Sequence, residues 1–372
     1  MIYFDHNATT PVKPEVIAET VRVMRDGGNP SSVHGVGRAA RAVLEQSRNT
    51  IAEMLNCRPQ KIIFTAGGTE ANNMALNTGG IDHIILSCTE HDSILQAGLN
   101  SGRNSGKRLD ILPVSENGLV APDELKECLE RTRGNVLVSI MLANNETGVL
   151  QDIRQLARIS HQAGAIFHTD AIQALGKIPV DFRDLGVDMM SLSAHKVNGP
   201  QGAGVLVALE KIKIQSPASG GRQENGRRCG TENLAGIAGF AMAVSLLPQN
   251  LKSMDNIRIM RDRIEGEISH HAPEARFYGA GAPRLANTTT ILMPDVASET
   301  QVMAFDLAGI CVSSGSACSS GKVKPSHVVT AMGGTMDQAL STIRVSLGWN
   351  NTEQQVDEFI AAWKKLYNRK RQ

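Results

Sequence analysis

Aromatic side chains are scarce in this chain, with two Trp, three Tyr and eight Phe among 372 residues. Base-stacking platforms for nucleic acid need more rings than this, and the core has to be aliphatic. Neither sign of charge predominates: 38 Lys and Arg stand against 37 Asp and Glu. That near-cancellation removes any global electrostatic case for nucleic acid or an anionic membrane. The longest apolar runs, such as 136–143 with Ser139 inside it, fall well short of the roughly 20 residues that span a bilayer. The opening MIYFDHNATT has no basic flank leading into an apolar stretch, so the expectation is a reducing cytoplasm. The six cysteines, at 57, 88, 128, 229, 311 and 318, form no CxxC and no paired Cys/His spacing of the zinc kind. Most are expected as small buried hydrophobes, Cys311 on its apolar run among them.

What is present is ordinary globular composition, 41% hydrophobic and 20% charged. At about 150 residues per domain the length favours two domains. Segment 38–55 places Ala40, Val43, Leu44, Ile51, Met54 and Leu55 at helical spacing. Short β-rich runs follow at 61–64, 83–87, 136–142, 165–168, 189–192 and 204–207, with helical patterns such as 122–133 and 153–163 between them. That alternation predicts crossover units on a mostly parallel sheet flanked by helices, an α/β fold over residues 13–247. Beyond Pro248 the pattern changes to a long helix at 254–270, strands at 288–293 and 343–346, a helix from Ser298 and a last helix at 353–368. Residues 1–12 and 248–372 are therefore expected to form a smaller α+β domain. The basic string Arg369-Lys370-Arg371 reads as a solvated tail.

In open α/β sheets, ligands bind beyond the carboxyl ends of the strands. There the chain carries Gly67-Gly68-Thr69-Glu70, a small-residue turn opening a helix whose free N–H groups suit a phosphate, or simply a strand-to-helix turn. The later run ends carry His91, Asn144-Asn145-Glu146, Thr169-Asp170 with Gln173, and Ser193-Ala194-His195-Lys196. Each alone is explained as a satisfied polar cap; the set points to one ligand. Asp170 and Lys196 are the informative pair, because a carboxylate against a ring nitrogen and a Schiff-base lysine are what pyridoxal phosphate requires of a protein. A surface ion pair is the competing account. Run 313–321 surrounds Cys318 with small residues and is expected to be a mobile loop presenting a nucleophilic thiol.

Several segments taken in order resemble the NifS/IscS-like cysteine desulfurases, within the fold-type I pyridoxal phosphate enzymes. They are YFDHNATTP at 3–11, GNPSSVHGVGR at 28–38, FTAGGTEANN at 64–73, TEHDS at 89–93, NNETG at 144–148, HTDAIQALGK at 168–177, SAHKVNGPQG at 193–202, RRCGTEN at 227–233 and SSGSACSSGKVKPSHV at 313–328. The resemblance implies a fold-type I transferase, with Lys196 as the Schiff-base lysine, Asp170 on the pyridine nitrogen, Gln173 on the ring hydroxyl and His91 stacked on the ring as an acid/base. It puts Gly68, Thr69, Ser193 and His195 at the phosphate, and Thr231 on the phosphate of a second subunit, hence a homodimer. Asn145 and Arg344 are implied to hold the substrate carboxylate, a role that suits the planar arginine fork.

Cys318 is the implied persulfide carrier, taking sulfur from L-cysteine as L-alanine is released. It then passes the sulfur to an acceptor such as an iron–sulfur cluster scaffold, with Cys318 as a transient cluster ligand and no resident metal. The long small-residue loop resembles the group that supplies cluster scaffolds. The chain departs from the family pattern at Arg222, in GGRQE, and at Cys229, in RRCGT, and it ends without the extension that housekeeping members use to dock a scaffold. Alternatives are a selenocysteine lyase, another fold-type I enzyme such as an aminotransferase, and a non-catalytic docking protein. Intact Lys196, Asp170, His91 and Cys318 speak against the last.

Overall fold

The computed structural model describes residues 1–216, 218–315 and 324–369. A short strand β1 (Ile2–Tyr3) and helices α1 (Pro14–Asp26) and α2 (Gly35–Met54) open the chain. Then β2 (Ile62–Thr65), α3 (Gly68–Leu76), β3 (His83–Ser87), α4 (Asp92–Ser105), β4 (Arg108–Leu112), α5 (Pro122–Arg131), β5 (Val136–Ser139), α6 (Ile153–Gln162), β6 (Ile166–Asp170), α7 (Phe182–Leu185), β7 (Met189–Ser193) and β8 (Gly204–Ala208) build a seven-stranded sheet in the order β2-β8-β7-β6-β5-β3-β4. Strands β3 and β5 are apolar on both faces because helices cover both, as parallel sheets require. One apolar layer joins the sheet to α1, α2, α5, α6 and α8 (Leu234–Ser245). The other packs α3 and α4 against the opposite face.

The predicted alternation is present with three differences. Strand β8 runs antiparallel to both β2 and β7, so the sheet is mixed at one end. Strand β4 is absent from the sequence reading because it is an edge strand whose Arg108 and Asp110 face solvent, which hides any apolar pattern. The 136–142 run leaves the ladder at Ser139, although Ile140 N–H still donates to the His168 carbonyl and Leu142 N–H to that of Asp170.

Beyond α8 come the long helix α9 (Leu247–His271), β9 (Arg276–Tyr278), β10 (Thr288–Leu292), α10 (Ser298–Leu307), β11 (Ile310–Cys311), β12 (Ser313–Ser314), α11 (His327–Ala331), α12 (Met336–Leu340), β13 (Thr342–Ser346) and α13 (Glu353–Arg369). Strands β12-β13-β10-β9 form an antiparallel sheet, and β11 pairs in parallel with β1. Here an apolar cluster gathers Ile2 and Phe4 with Ile257, Phe305, Phe359 and Trp363, so the first residues pack among the last. The cysteines depart from expectation. Cys128 is buried, but Cys57, Cys88, Cys229 and Cys311 are half-buried, at element ends, in a loop and on the two-stranded ribbon. No single described helix is long and apolar enough to cross a membrane.

Candidate active site

The carboxyl ends of β2, β6 and β7 open onto a cavity of about 350 Å³. Its lining includes Gly68, Thr69, His91, Asn145, Asp170, Gln173, Ser193, His195, Lys196 and Arg344, which lie as far apart as 276 positions in the chain. Thr231 lies elsewhere, exposed on the loop before α8. Cys318 and its run 316–323 lie outside the described residues; Gly315, the last residue before them, lines the cavity.

Asp170 is the final residue of β6, and the strand's direction aims its carboxylate into the cavity floor. Its Oδ1 accepts from Ile172 N–H at 2.9 Å and its Oδ2 from Asn72 Nδ2 at 2.7 Å. Burial raises its pKa, and these two donors, with the charges of His91 and Lys196, oppose that rise. The other Asn72 amide hydrogen reaches Ser93 Oγ at 2.8 Å, and that hydroxyl lies 2.8 Å from His91 Nδ1. Ser93 N–H also donates to His91 Nδ1, where the imidazole caps α4. With Nδ1 accepting, the neutral ring carries its proton on Nε2.

Lys196 follows β7 in a single tight turn, Ala194–Lys196. Its Nζ donates to the main-chain carbonyls of Asn7 and Ala8, both at 2.6 Å. Burial and then the Arg344 guanidinium push its pKa down to about 8, against the pull of Asp5 and Asp170. The neighbouring His195 is held down to about 4 by burial and by the Lys196 charge, so its imidazole is neutral near pH 7.

Arg344, in the middle of β13, is fixed by Asp5 Oδ1 at 2.7 Å and by the Asn145 carbonyl at 3.1 Å. Asn145 is presented by a turn in which Asn144 Oδ1 accepts from the N–H groups of Glu146 and Thr147. Glu146 Oε2 takes a hydrogen bond from Ser326 Oγ at 2.5 Å, and His327 Nε2 lies 3.0 Å from the Glu90 carbonyl. The chain after residue 323 is thereby tied to the cavity wall.

Three buried polar atoms on the lining residues have no partner among the described residues: Ser193 Oγ, Asn145 Oδ1 and Arg344 Nε. Helix α3 begins at Gly68 with no side-chain cap, which leaves its first N–H groups free. A Cβ at Gly68 would meet the Ile172 Cδ1 methyl at 2.2 Å, so a larger residue there would have to displace that side chain. Free amides, a hydroxyl and a helix N-terminus fit a phosphate. A lysine amine with lowered pKa and a buried carboxylate fit the aldehyde and ring nitrogen of pyridoxal phosphate, and the residues present match that group on both counts.

The sequence reading missed Asn7, Asn72, Ser93, Lys177 and His327. All five stand inside quoted segments, but nothing local marks Asn7 and Lys177, because their partners are distant in the chain.

The sequence profile of the aminotransferase class-V family matches residues 2–359. A cysteine desulfurase IscS of Dictyoglomus turgidum is 38% identical over 365 residues, 96% of this chain and 92% of that protein. The crystal structure of a NifS-like protein from Rickettsia africae superposes with a TM-score of 0.91 at 36% identity, covering 99% of each chain. A solved structure of SspA in complex with cysteine superposes with a TM-score of 0.80 at 29% identity, over 94% of this chain and 99% of that one.

Proposed function

We propose, for a chain that belongs to the class-V aminotransferase family and stands among its cysteine desulfurases, that this cavity removes sulfur from L-cysteine with pyridoxal phosphate as cofactor. Sulfur passes to the thiol of Cys318, and L-alanine leaves. The observation that carries this reading is the meeting of Lys196, Asp170 and an α3 N-terminus without a side-chain cap in one cavity with the Arg344 guanidinium.

Lys196 would hold the aldehyde, Asp170 the ring nitrogen, Gln173 the ring oxygen, and Gly68, Thr69, Ser193 and His195 the phosphate. When bound, the cofactor supplies an electron-accepting ring that stabilises negative charge at the substrate's α-carbon. Arg344 and Asn145 bind the substrate carboxylate, and the two bonds that already restrain the guanidinium limit the rotamer freedom lost on binding. A lysine with pKa about 8 is a free amine often enough near neutrality to take the α-proton, and the Asn7 and Ala8 carbonyls then receive the resulting ammonium. His91 offers the Nε2 proton. The Cys318 thiolate attacks the substrate sulfur: an S–S bond forms, the C–S bond breaks, and the carbon fragment ends, after protonation, as alanine.

Residues 13–247 form the larger unit in this reading, and 1–12 with 248–372 the smaller. In this reading the exposed Thr231 reaches the phosphate of a second copy of the chain, and the exposed apolar side chains Ile17, Val21 and Met24 on α1, with Val33 and Val36 after it, support such a pairing. An iron–sulfur cluster scaffold is the acceptor that fits the small-residue Cys318 run, and a cytoplasmic site fits the free thiols. Cys318→Ala is expected to abolish sulfide release from L-cysteine under dithiothreitol while the protein keeps its cofactor colour. Undiminished sulfide from that variant removes Cys318 from the reaction. Alanine formed by the parent protein without any keto acid present separates this activity from transamination.

A further inference from the structure

Lys177 lies behind the cavity, nearly inaccessible to solvent, and none of the proposed catalytic roles uses it. Its ammonium has no carboxylate partner among the described residues. Its Nζ instead donates to two neutral oxygens, Asn7 Oδ1 at 2.8 Å and Gln173 Oε1 at 2.6 Å. Burying an amine without a counter-charge is costly, so the position has to return something for it. Burial, aided by the Lys196 and Arg344 charges, drives the Lys177 pKa far below the ordinary lysine range. Its N–H groups find two neutral acceptors and no counter-charge among the described residues.

Gln173 lines the cavity, and both ends of its carboxamide are engaged by protein groups. Nε2 donates to the Asn7 carbonyl at 2.9 Å, and Oε1 accepts from Lys177. The terminal torsion of glutamine is broad and soft, so a single hydrogen bond would leave the amide plane free to turn. Two anchors fix it, and one Nε2 hydrogen remains unassigned. We propose that Lys177 is a positioning residue that locks the Gln173 carboxamide so that its second N–H, not its carbonyl, is offered to the cofactor's ring oxygen. The same amine braces Asn7, whose main-chain carbonyl receives both Gln173 and Lys196.

This inference rests on pyridoxal phosphate occupying the cavity, and its test separates the two. A hydrogen bond given to the anionic ring oxygen favours the anion, so its loss raises the pH at which the oxygen titrates. Holoprotein is titrated by visible absorbance, and kcat and KM for L-cysteine are measured beside it. Lys177→Met is expected to move the midpoint of the visible band up by about one pH unit and to lower kcat about tenfold, with KM changed less than about threefold. Gln173→Glu keeps an acceptor for Lys177, so it does not depend on Lys177→Met folding; it lacks any N–H and is expected to move the midpoint in the same direction. A folded, coloured Lys177→Met protein with the parent's midpoint and kcat overturns the proposal, as does an unmoved midpoint in Gln173→Glu. A parent protein that takes up no cofactor defeats the cofactor reading itself.

Discussion

Two sets of cavity residues treat their polar atoms in opposite ways. Every polar atom of Asn7 itself is satisfied from within the protein. Its N–H donates to Ser346 Oγ, its carbonyl accepts from Lys196 and Gln173, its Oδ1 accepts from Lys177 and Asn287, and its Nδ2 donates to Thr288 Oγ1 and the Asn145 carbonyl. By contrast Ser193 Oγ and the first amides of α3, like Asn145 Oδ1 and Arg344 Nε, find no partner among the described residues. A saturated network holds shape, because moving any member leaves a buried group unpaired. An unsaturated one stores binding capacity at some expense to the stability of the ligand-free protein. Shape is thus held by the saturated Asn7, and binding capacity by Ser193, the α3 amides and the open atoms of Asn145 and Arg344.

The largest expected effect tests the saturated side. Asn7→Leu removes four side-chain hydrogen bonds and strands Lys177, so the cofactor-free protein is expected to lose about 3 kcal/mol or more in urea unfolding. A loss below about 1 kcal/mol would mean that the hub is dispensable. An intermediate effect concerns Lys196, whose amine rests on the Asn7 carbonyl. Only the free amine reacts with an aldehyde, so cofactor uptake by the cofactor-free protein is expected to quicken about tenfold per pH unit up to about pH 8 and then level off. The sign is fixed by linkage. Unfolded lysine keeps its proton to about 10.5 and the folded chain gives it up near 8, so the stability of the cofactor-free protein rises between those values. Stopped-flow absorbance checks the uptake; a plateau only above pH 10 would contradict the depressed lysine. The smallest effect belongs to the unsaturated side. Ser193→Ala removes a buried hydroxyl that has no partner, so the cofactor-free protein is expected to keep its stability or gain up to about 1 kcal/mol, while cofactor affinity falls about fivefold. Calorimetric melting and equilibrium dialysis would show the split, and loss of both properties together would erase the contrast.

Much of this was legible in the sequence because strand ends sit next to their chemistry. Asp170 closes β6 and Ser193 closes β7, so locating the strands also located the residues. The quoted segments supplied the roles that spacing alone leaves open. What stayed hidden has one physical cause: it depends on partners that meet through the fold. Asn7 is an unremarkable polar residue until Lys177, Thr288 and Ser346 surround it. The antiparallel sense of β8 was not legible either, since VLV reads the same in both directions. Its start, Gly204, lies opposite Thr65 of β2 and Ser193 of β7, and a Cβ there would meet the Gly67 backbone at 2.6 Å. The half-buried cysteines were misjudged for a similar reason, because burial follows from an element's neighbours and not from the residue type.

The pairing of β1 with β11 has a consequence for how the protein is made. Residues 2 and 3 leave the ribosome long before 310 and 311, yet they find their strand only when those arrive, and Asn7 gains Ser346 later still. Domains fold as their parts emerge, and contacts this distant close last. The Asn7 network, and with it the resting place of the Lys196 amine, is therefore complete only once residue 346 has emerged. A prematurely terminated product, even one retaining all seven strands of the large sheet, would have no finished chemistry to release.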